Sequence, residues 1–377
     1  MFDRSKYSSL RLIEIGDVPL IKNAFPSQTT FYSTYSRAEH GREKDGYHVL
    51  SARNLSSFLK AVYGSDVSLI VCHPTPVSPW HWDWLSRSIF SRRLLEGHAP
   101  FLRAFGPQVF RFPVQAPLAV VDLPDLPLIA KNNLFLLDRC KLYFKRELPA
   151  DNWQVFQKTA HRNSPTPRFR SSQRHLERIA KLRPLPLGIP MGRENMLPIQ
   201  SRPKKADIFF AGLVDGSSTV RKKGMAELLA LREKGINVDI PEKRLPPEEF
   251  YQRCAEAWLT WSPEGLGWDC FRHYEAPACG SVPLINRPTI ERFMPLIDGE
   301  QAIYYDIEPG GLTRAVLKAL ADKPLLAKIA GQAKAHVMSH HTPVGIAQYV
   351  VSTSLGLPMD EISQPIDGIG FVEAEQK

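Results

Sequence analysis

Residues 258–286 read as two short apolar runs joined by a polar loop, a short helix and a glycine. Open parallel sheets are built from units of this kind, so the pattern strongly restricts the fold. Ligands of such sheets bind at the carboxyl ends of the strands, where a helix N-terminus favours an anion. Charged side chains crowd the loop and the first helical turns, which predicts a nucleotide-phosphate pocket. The predicted strands are 258–261 and 282–285, the loop is 264–269, and the helix is 270–279, ended by Gly280.

The same alternation extends through the rest of the C-terminal half. Strands that alternate with helices of roughly 10–15 residues indicate parallel βαβ units with right-handed crossovers. This half is therefore predicted to be a Rossmann-like domain. Its other predicted strands are 207–211, 236–240 and 302–306, and its other predicted helices are 220–234, 247–257, 312–321 and a stretch to about residue 340.

The N-terminal half is less regular, but it also predicts an α/β domain. Buried strands are predicted at 69–72, 118–122 and 141–144, and helices at 84–105 and 130–139. Prolines are frequent in residues 183–203, where Gly188 and Gly192 also occur, which predicts an interdomain hinge. A last helix is predicted at 343–356, before an acidic tail.

Composition indicates a soluble globular protein. The chain has 377 residues, 43% of them apolar and 23% charged, and no apolar run long enough to span a membrane. The first residues lack a hydrophobic signal core, and the 5 cysteines form no Cys-x-x-Cys pair. A reducing, cytoplasmic location is therefore expected.

The net charge of +9 has two interpretations. A basic surface favours nucleic acid, an anionic membrane face or a phosphorylated substrate. Alternatively, the protein is a generally basic soluble enzyme. Lysines and arginines are spread without a polybasic block, so nucleic acid is the weaker hypothesis.

The segment from Glu275 to Gly280, followed by the proline-containing strand at 282–285, resembles the donor-binding half of GT-B glycosyltransferases of the group-1 and exostosin-like types. The resemblance extends over roughly residues 187–350. Glu264 and Glu275 stand eleven positions apart, further than the paired glutamates of group-1 enzymes, so only Glu275 is carried over.

This resemblance implies an α/β fold with two Rossmann-like domains facing across a cleft and a C-terminal helix crossing back to the first domain. It implies an acceptor-side domain at 1–185 and a nucleotide-sugar-binding domain at 186–345. The crossover helix and the acidic tail then occupy 346–377.

Transfer of a sugar from a nucleoside diphosphate requires stabilisation of the leaving diphosphate. No Asp-x-Asp follows a strand in the C-terminal half, so cationic side chains are expected to replace a metal, with no cofactor. Arg272 and Arg221 are the first choices for the diphosphate. Glu275 is expected to accept hydrogen bonds from ribose hydroxyls. The full set of candidate donor-binding residues is Gly212, Ser217, Ser218, Arg221, Lys222, Glu264, Asp269, Arg272, His273 and Glu275.

Each of these interpretations has a structural alternative. The basic stretch at Arg221 and Lys222 is equally typical of a solvated first helical turn. Glu275 suits a helix surface where it pairs with Arg272, three positions earlier. His273 either contacts phosphate or sugar, or is an ordinary packed histidine.

The acceptor side is predicted from residues 73–84, where three tryptophans, two histidines and an aspartate follow a strand. Indole faces stack on sugars, and His or Asp removes a hydroxyl proton. The alternative is a hydrophobic cluster around the next helix. Asp125 is a further candidate for the cleft. If the reaction inverts configuration, the candidate catalytic bases are Asp122, Asp83, His81 and His73; a retaining reaction needs none.

The predicted function is transfer of a sugar from a nucleoside-diphosphate sugar to a glycan or glycolipid acceptor. Surface polysaccharide or glycoconjugate synthesis is the expected role, with loose contact to anionic membrane where lipid-linked acceptors reside. One alternative is a nucleotide-sugar epimerase or hydrolase of the same architecture. Another is a non-catalytic carbohydrate- or nucleic-acid-binding protein with a degenerate donor pocket.

Overall fold

The structure, a computed structural model, describes residues 7–34, 46–51, 53–74, 106–157, 172–198 and 200–358. The chain divides into two compact units. One unit is Pro186–Ile346, and the other combines the described residues before Pro186 with those from Ala347 onward. Among the described residues, no helix is long and apolar enough to cross a membrane.

The N-terminal unit is built on a seven-stranded parallel sheet with the order β3-β2-β1-β4-β5-β6-β7. The chain first runs outward from β1 and then returns to its other side for β4, so the strand order reverses between β1 and β4. Such a reversal is a topological switch point, where open α/β sheets bind ligands. The strands are β1 Leu12–Gly16, β2 Thr29–Ser33, β3 Tyr47–Val49, β4 Leu69–Cys72, β5 Leu118–Asp122, β6 Leu142–Lys145 and β7 Leu182–Pro184.

Strands β4 and β5 are continuous apolar runs because parallel strands are covered on both faces. Their predicted bounds are confirmed, and β6 lies one residue later than predicted. Strands β1, β2, β3 and β7 were not predicted. Strands β2 and β3 mix polar and aromatic residues, β7 has only three residues with an arginine in its centre, and β1 carries the charged Glu14 in its centre.

The helix predicted at 130–139 is wrong as a single element. The structure has a 3₁₀ turn at Lys131–Asn133 and one short helix at Leu136–Arg139. Asparagine competes for backbone hydrogen bonds and disfavours helix interiors, and two asparagines stand inside this segment. The helix predicted at 84–105 lies outside the described residues. The helices of this unit are α1 Leu20–Ala24, α2 Leu55–Val62, α3 Leu136–Arg139 and α4 Gln173–Ile179.

The C-terminal unit contains a five-stranded parallel sheet with the order β12-β11-β10-β8-β9. Its predicted alternation of strands and helices is confirmed, with ends that shift by at most two residues. The strands are β8 Ala206–Phe209, β9 Val238–Asp239, β10 Ala257–Trp261, β11 Val282–Asn286 and β12 Ile303–Tyr305. The helices are α5 Thr219–Arg232, α6 Pro247–Ala255, α7 Arg272–Ala278, α8 Gly311–Leu320 and α9 Lys323–His340.

Helix α5 packs closely on β10 because Gly224 faces Trp261. A Cβ atom at Gly224 would lie 2.3 Å from Cζ2 of Trp261, so no larger residue fits without a shift. The indole of Trp261 is fully buried and donates to Tyr305 Oη at 3.0 Å. This contact fixes the first turn of α5 beside the loop that follows β10.

The last helix, α10 Pro343–Leu355, begins in one unit and continues in the other, where the boundary falls after Ile346. Within the N-terminal unit, the hydroxyls of Ser352 and Tyr7 are hydrogen-bonded at 2.8 Å. Tyr349 lies edge-on to Phe144 and donates its hydroxyl to Pro184 O at 3.1 Å. The end of the chain thus completes the core of the N-terminal unit.

Candidate functional site

The loops that follow β8 and β10 meet at the carboxyl edge of the C-terminal sheet. Glu264 lies in the second loop and is held by Asn286, the last residue of β11. The amide nitrogen of Glu264 donates to Asn286 Oδ1 at 2.8 Å, and Asn286 Nδ2 donates to Glu264 Oε2 at 3.1 Å. This pair fixes the loop after β10 against its neighbouring strand.

Arg221, in the first turn of α5, joins the two loops. Its buried guanidinium donates through Nε to Glu264 O at 2.9 Å and through Nη1 to Leu213 O at 3.0 Å. Ser218 caps α5 by accepting from the Arg221 amide, and it also donates to Glu264 O at 3.1 Å. Arg221 and Ser218 therefore shape this edge of the sheet through backbone contacts.

Arg272, the first residue of α7, has no hydrogen-bond partner or ion-pair partner among the described residues. Its side chain is half-buried, its Nη1 is buried and unpaired, and its guanidinium lies 5.1 Å from the centre of the Phe210 ring. Burial lowers the pKa of Arg272, Arg221 adds to this effect, and Cys270 and Glu275 oppose it. An arginine nevertheless remains charged, so this cation lacks an anionic partner within the part of the chain that the structure describes.

Gly212 leaves room for the Arg272 side chain. Gly212 is exposed and follows β8, and a Cβ atom on it would lie 2.6 Å from Arg272 Nη2. The glycine therefore lets the guanidinium lie directly against the backbone at the end of the strand. Ser217 is half-buried and Lys222 is exposed, and neither side chain has a partner among the described residues.

Glu275 lies one turn into α7 and is buried. Its Oε1 accepts from the hydroxyl of Tyr251 at 2.9 Å and lies 3.9 Å from Nη1 of Arg193. Burial raises the pKa of Glu275, and Tyr251, Arg272 and Arg193 oppose this rise. Its Oε2 has no partner among the described residues, so one carboxylate oxygen remains available to a ligand hydroxyl.

Asp269 and His273 are both buried, and their hydrogen bonds connect neighbouring parts of the site. Asp269 is buried and accepts from Tyr274 Oη at 2.8 Å and from the Leu187 amide at 2.7 Å. His273 Nε2 donates to Trp268 O at 2.8 Å, and Nδ1 accepts from Ser262 Oγ at 2.7 Å.

Burial keeps His273 neutral. Burial lowers its pKa to about 3, because the protonated ring would need solvation that the core lacks. The packed-histidine alternative describes His273 in this structure.

The acceptor-side candidates lie in the N-terminal unit. Asp122 ends β5 and is buried, where it accepts from Tyr143 Oη at 2.7 Å and lies 3.5 Å from Lys145 Nζ. Burial raises the pKa of Asp122, and Lys145 and Tyr143 oppose the rise. Asp125 forms an ion pair with Arg146. His81 and Asp83 lie outside the described residues.

His73 directly follows β4 and contacts a residue that the sequence analysis did not single out. Its Nε2 lies 3.1 Å from Oε1 of Glu14, which is fully buried in β1. Tyr251 and Arg193 in the other unit were also not predicted. A glutamate in the middle of an apolar strand was a usable signal, because buried carboxylates require partners. The contacts of Tyr251 and Arg193 depend on tertiary packing, which leaves no mark in the local sequence.

Within the ranges that the structure describes, no three His, Cys, Asp or Glu side chains are grouped so that they could hold a metal ion.

The fold is similar to that of several solved structures, most of which are glycosyltransferases. Sucrose-phosphate synthase from Thermosynechococcus elongatus aligns with 91% of this chain and 98% of its own, at a TM-score of 0.53 and 11% identity. A glycosyltransferase from Rickettsia africae aligns with 93% of this chain and 99% of its own, at a TM-score of 0.53 and 9% identity. Anabaena HepE, crystallised with UDP, aligns with 92% of this chain and 100% of its own, at a TM-score of 0.51 and 11% identity.

No family model matches the chain, and no curated protein matches its sequence at a significant level. At identities near 11% the likeness is one of fold. The chain has the fold of GT-B glycosyltransferases, and the predicted α/β class with two parallel-sheet units is confirmed.

Proposed function

We propose that the protein is a glycosyltransferase that uses a nucleoside-diphosphate sugar as its donor. The observation that carries this proposal is the unpartnered guanidinium of Arg272 at the carboxyl edge of a parallel sheet. A diphosphate would supply the missing negative charge. It would also accept paired hydrogen bonds from the planar guanidinium of Arg272. Gly212 makes room for that guanidinium against the backbone at the same place.

Glu275 supports a nucleoside next to that diphosphate. It stands three positions after Arg272, on the same helix face, and its Oε2 is unused within the described residues. Tyr251 orients the carboxylate by donating to the other oxygen. The carboxylate can then accept from a ribose hydroxyl while the arginine holds the diphosphate.

The experiment is a thermal-shift screen of the full chain against UDP, GDP, ADP and their sugar conjugates, with wild type and three variants. Wild type is expected to melt higher with one nucleotide family. Arg272→Ala is expected to weaken that binding roughly 10- to 100-fold, because a charge-assisted hydrogen bond contributes about 1.5–3 kcal/mol. Glu275→Gln is expected to weaken the binding of the nucleotides. It should leave the binding of inorganic pyrophosphate, which has no ribose, unchanged.

The matched control is Arg287→Ala. Arg287 follows β11 at the same edge, but its Nε already donates to Asp306 at 2.8 Å. Loss of nucleotide binding in Arg287→Ala, or its retention in Arg272→Ala, contradicts the assignment. Nucleotide binding without any consumption of nucleotide sugar would favour a binding protein with the same fold.

Two finer parts of the proposal concern cofactor and setting. Arg272 supplies the positive charge that a metal would otherwise provide, so activity is proposed to be metal-independent and to persist in EDTA. The acceptor is proposed to be a glycan or a lipid-linked glycan of a surface polysaccharide or glycoconjugate, reached from the cytoplasmic side. The net charge of +9 supports peripheral contact with anionic membrane.

A further inference from the structure

The switch point of the N-terminal sheet carries a histidine and a carboxylate in contact. The register pairs Ile15 of β1 with Cys72 of β4, so Gly16 and His73 are the next residues on the two strands. A Cβ atom on Gly16 would lie 2.5 Å from Cγ and 2.6 Å from Cδ2 of His73. The imidazole therefore lies directly over the end of β1, at the edge where open sheets bind ligands.

Glu14 holds that imidazole from one side. Its Oε1 accepts from the Ile21 amide at 3.0 Å, and its Oε2 accepts from the Lys22 amide at 2.9 Å. Both amides belong to α1, so the carboxylate is fixed by backbone. His73 Nε2 is its third partner, at 3.1 Å.

This arrangement determines which nitrogen of His73 carries the proton. A carboxylate that already receives two amide protons acts as an acceptor, so Nε2 of His73 is the donor. Nδ1 is then the basic nitrogen of the neutral ring. Gly16 packs against the Cβ and Cδ2 side of His73, and no described residue makes a hydrogen bond to Nδ1.

We infer that His73 is the general base of the proposed glycosyl transfer and that Glu14 is its positioning residue. This inference rests on the proposed function. The acceptor hydroxyl oxygen bonds to the anomeric carbon as the bond from that carbon to the diphosphate oxygen breaks. The bonding electron pair leaves on the diphosphate, and the hydroxyl proton passes to Nδ1 of His73. A single displacement of this kind inverts the anomeric configuration.

Charged side chains lie on the strands next to His73. Glu14 lies on β1, Asp122 on β5, and Lys145 on β6 faces Asp122 at 3.5 Å. Burial raises the pKa of Asp122, and Lys145, Tyr143 and His73 oppose this rise. Asp122 itself is engaged with Tyr143 and Lys145, so it stabilises charge at this edge without serving as the base.

The test compares His73→Gln, Glu14→Gln and the control His48→Gln in the full chain. His48 belongs to the same sheet and stacks on Tyr32 with ring centres 5.3 Å apart. The substrates are UDP- and GDP-sugars with a set of p-nitrophenyl glycosides as acceptors, and release of UDP or GDP is measured against pH. His73→Gln is expected to lower kcat roughly 100- to 10,000-fold and to remove the acid limb of the profile.

Glu14→Gln is expected to lower kcat less than His73→Gln does and to shift the acid limb of the pH profile. The control His48→Gln is expected to behave as wild type. All three variants should keep the Arg272-dependent nucleotide shift, and product NMR should show an inverted anomer. ¹⁵N-histidine NMR of wild type provides a second measurement, which does not depend on the folding of Glu14→Gln. It should show protonated Nε2 and unprotonated Nδ1 at His73, assigned by comparison with His73→Gln.

A retained anomer, an unchanged kcat in His73→Gln, or the opposite tautomer overturns the inference while the donor site stands. The proposed function fails separately if no nucleotide binds to wild type or if binding is independent of Arg272. If wild type binds nucleotide but consumes no nucleotide sugar with any acceptor in the set, the proposed glycosyl transfer is overturned. The proposed roles of His73 and Glu14 in that transfer are then overturned as well.

Discussion

Arg221 and Arg272 lie in the first turns of two different helices and differ in what their guanidinium groups contact. Arg221 donates hydrogen bonds to loop carbonyls, whereas Arg272 has no hydrogen-bond or ion-pair partner among the described residues. A half-buried cation without a partner destabilises the protein that contains it. Such a residue is typical of a site that becomes complete only with its ligand.

Substitution of Gly212 tests this view of Arg272 without removing it. Alanine at 212 would place Cβ 2.6 Å from Nη2 and displace the flexible end of the arginine. We expect Gly212→Ala to weaken nucleotide binding severalfold while the melting temperature of the free protein stays within a few degrees. Isothermal titration with the nucleotide selected by the screen measures the effect. Gly331→Ala is the control, since nothing lies within 4 Å of a Cβ atom there, and equal losses in both variants would contradict the steric explanation.

Two buried histidines predict how stability changes with pH. Burial lowers the pKa of His273 and of His341 to about 3, from 6.5. The unfolded chain therefore binds more protons between these values, so the free energy of unfolding falls as pH drops below about 6.5. The slope is on the order of 1.4 kcal/mol per pH unit for each histidine.

Urea unfolding at a series of pH values from 7 to 5 measures this slope. His273→Gln can keep the bonds to Trp268 O and Ser262 while losing the titration, so its slope should be shallower than that of wild type. Parallel curves for the two proteins would mean that His273 does not titrate as described.

The sequence predicted where the candidate donor-site residues lie better than what they contact. Arg272 was selected from its place in the helix after a parallel strand, and Glu275 was carried over from the family resemblance; the structure has both on α7. The contact of Asp269 was not predictable, because Leu187 is distant in sequence and reaches it only when separate segments fold together. Glu14 was missed because strand β1 was not predicted.

At the scale of elements, a single carboxylate joins α3 to α4. Asp138 accepts from Arg178 at 2.8 and 2.7 Å and from Arg174 at 3.2 and 2.6 Å. Burial alone would raise the pKa of Asp138, but the hydrogen bonds and charges of Arg178 and Arg174 lower it well below its usual value. Each of the two arginines donates two hydrogen bonds to the same carboxylate, so Asp138 forms a strong polar link between the two helices.

Asp138→Asn is expected to reduce the free energy of unfolding by roughly 1–2 kcal/mol at pH 7, a discounted figure because Arg174 is exposed. A lowered carboxyl pKa stabilises the fold above the unfolded pKa of about 3.9 and loses that effect as pH falls below it. The difference between wild type and variant should therefore shrink below pH 4. Glu177→Gln, one helix position from Arg178, is the control, and a difference that is independent of pH would contradict the ion-pair explanation.

Elements with a strong pattern were predicted and those with a weak one were not. Strands β4, β5, β10 and β11 are apolar runs bounded by polar residues, and each was found in the sequence. Strand β7 lies inside a proline-rich stretch that was assigned to a hinge. It pairs with β6 nonetheless, because an edge position tolerates the missing amide of proline.

At the scale of the whole molecule, the excess of 48 basic over 39 acidic residues gives the net charge of +9. Attraction to an anionic surface is screened by salt, so its signature is ionic-strength dependence. The full chain is expected to float with vesicles of phosphatidylglycerol at low salt and to be released at about 0.5 M NaCl, at which the Debye length is only several ångströms. Phosphatidylcholine vesicles are the control. Binding that resists salt, or equal binding to both lipids, would exclude a purely electrostatic contact.

The late position of helix α10 in the sequence affects how the protein folds during synthesis. The N-terminal unit needs Tyr349 and Ser352 from α10 to cover Phe144 and Tyr7. During synthesis, every residue of Pro186–Ile346 emerges before those two side chains do. The N-terminal unit is translated first, yet its core stays incomplete until α10 has been synthesised, and an incomplete core exposes apolar surface that favours aggregation.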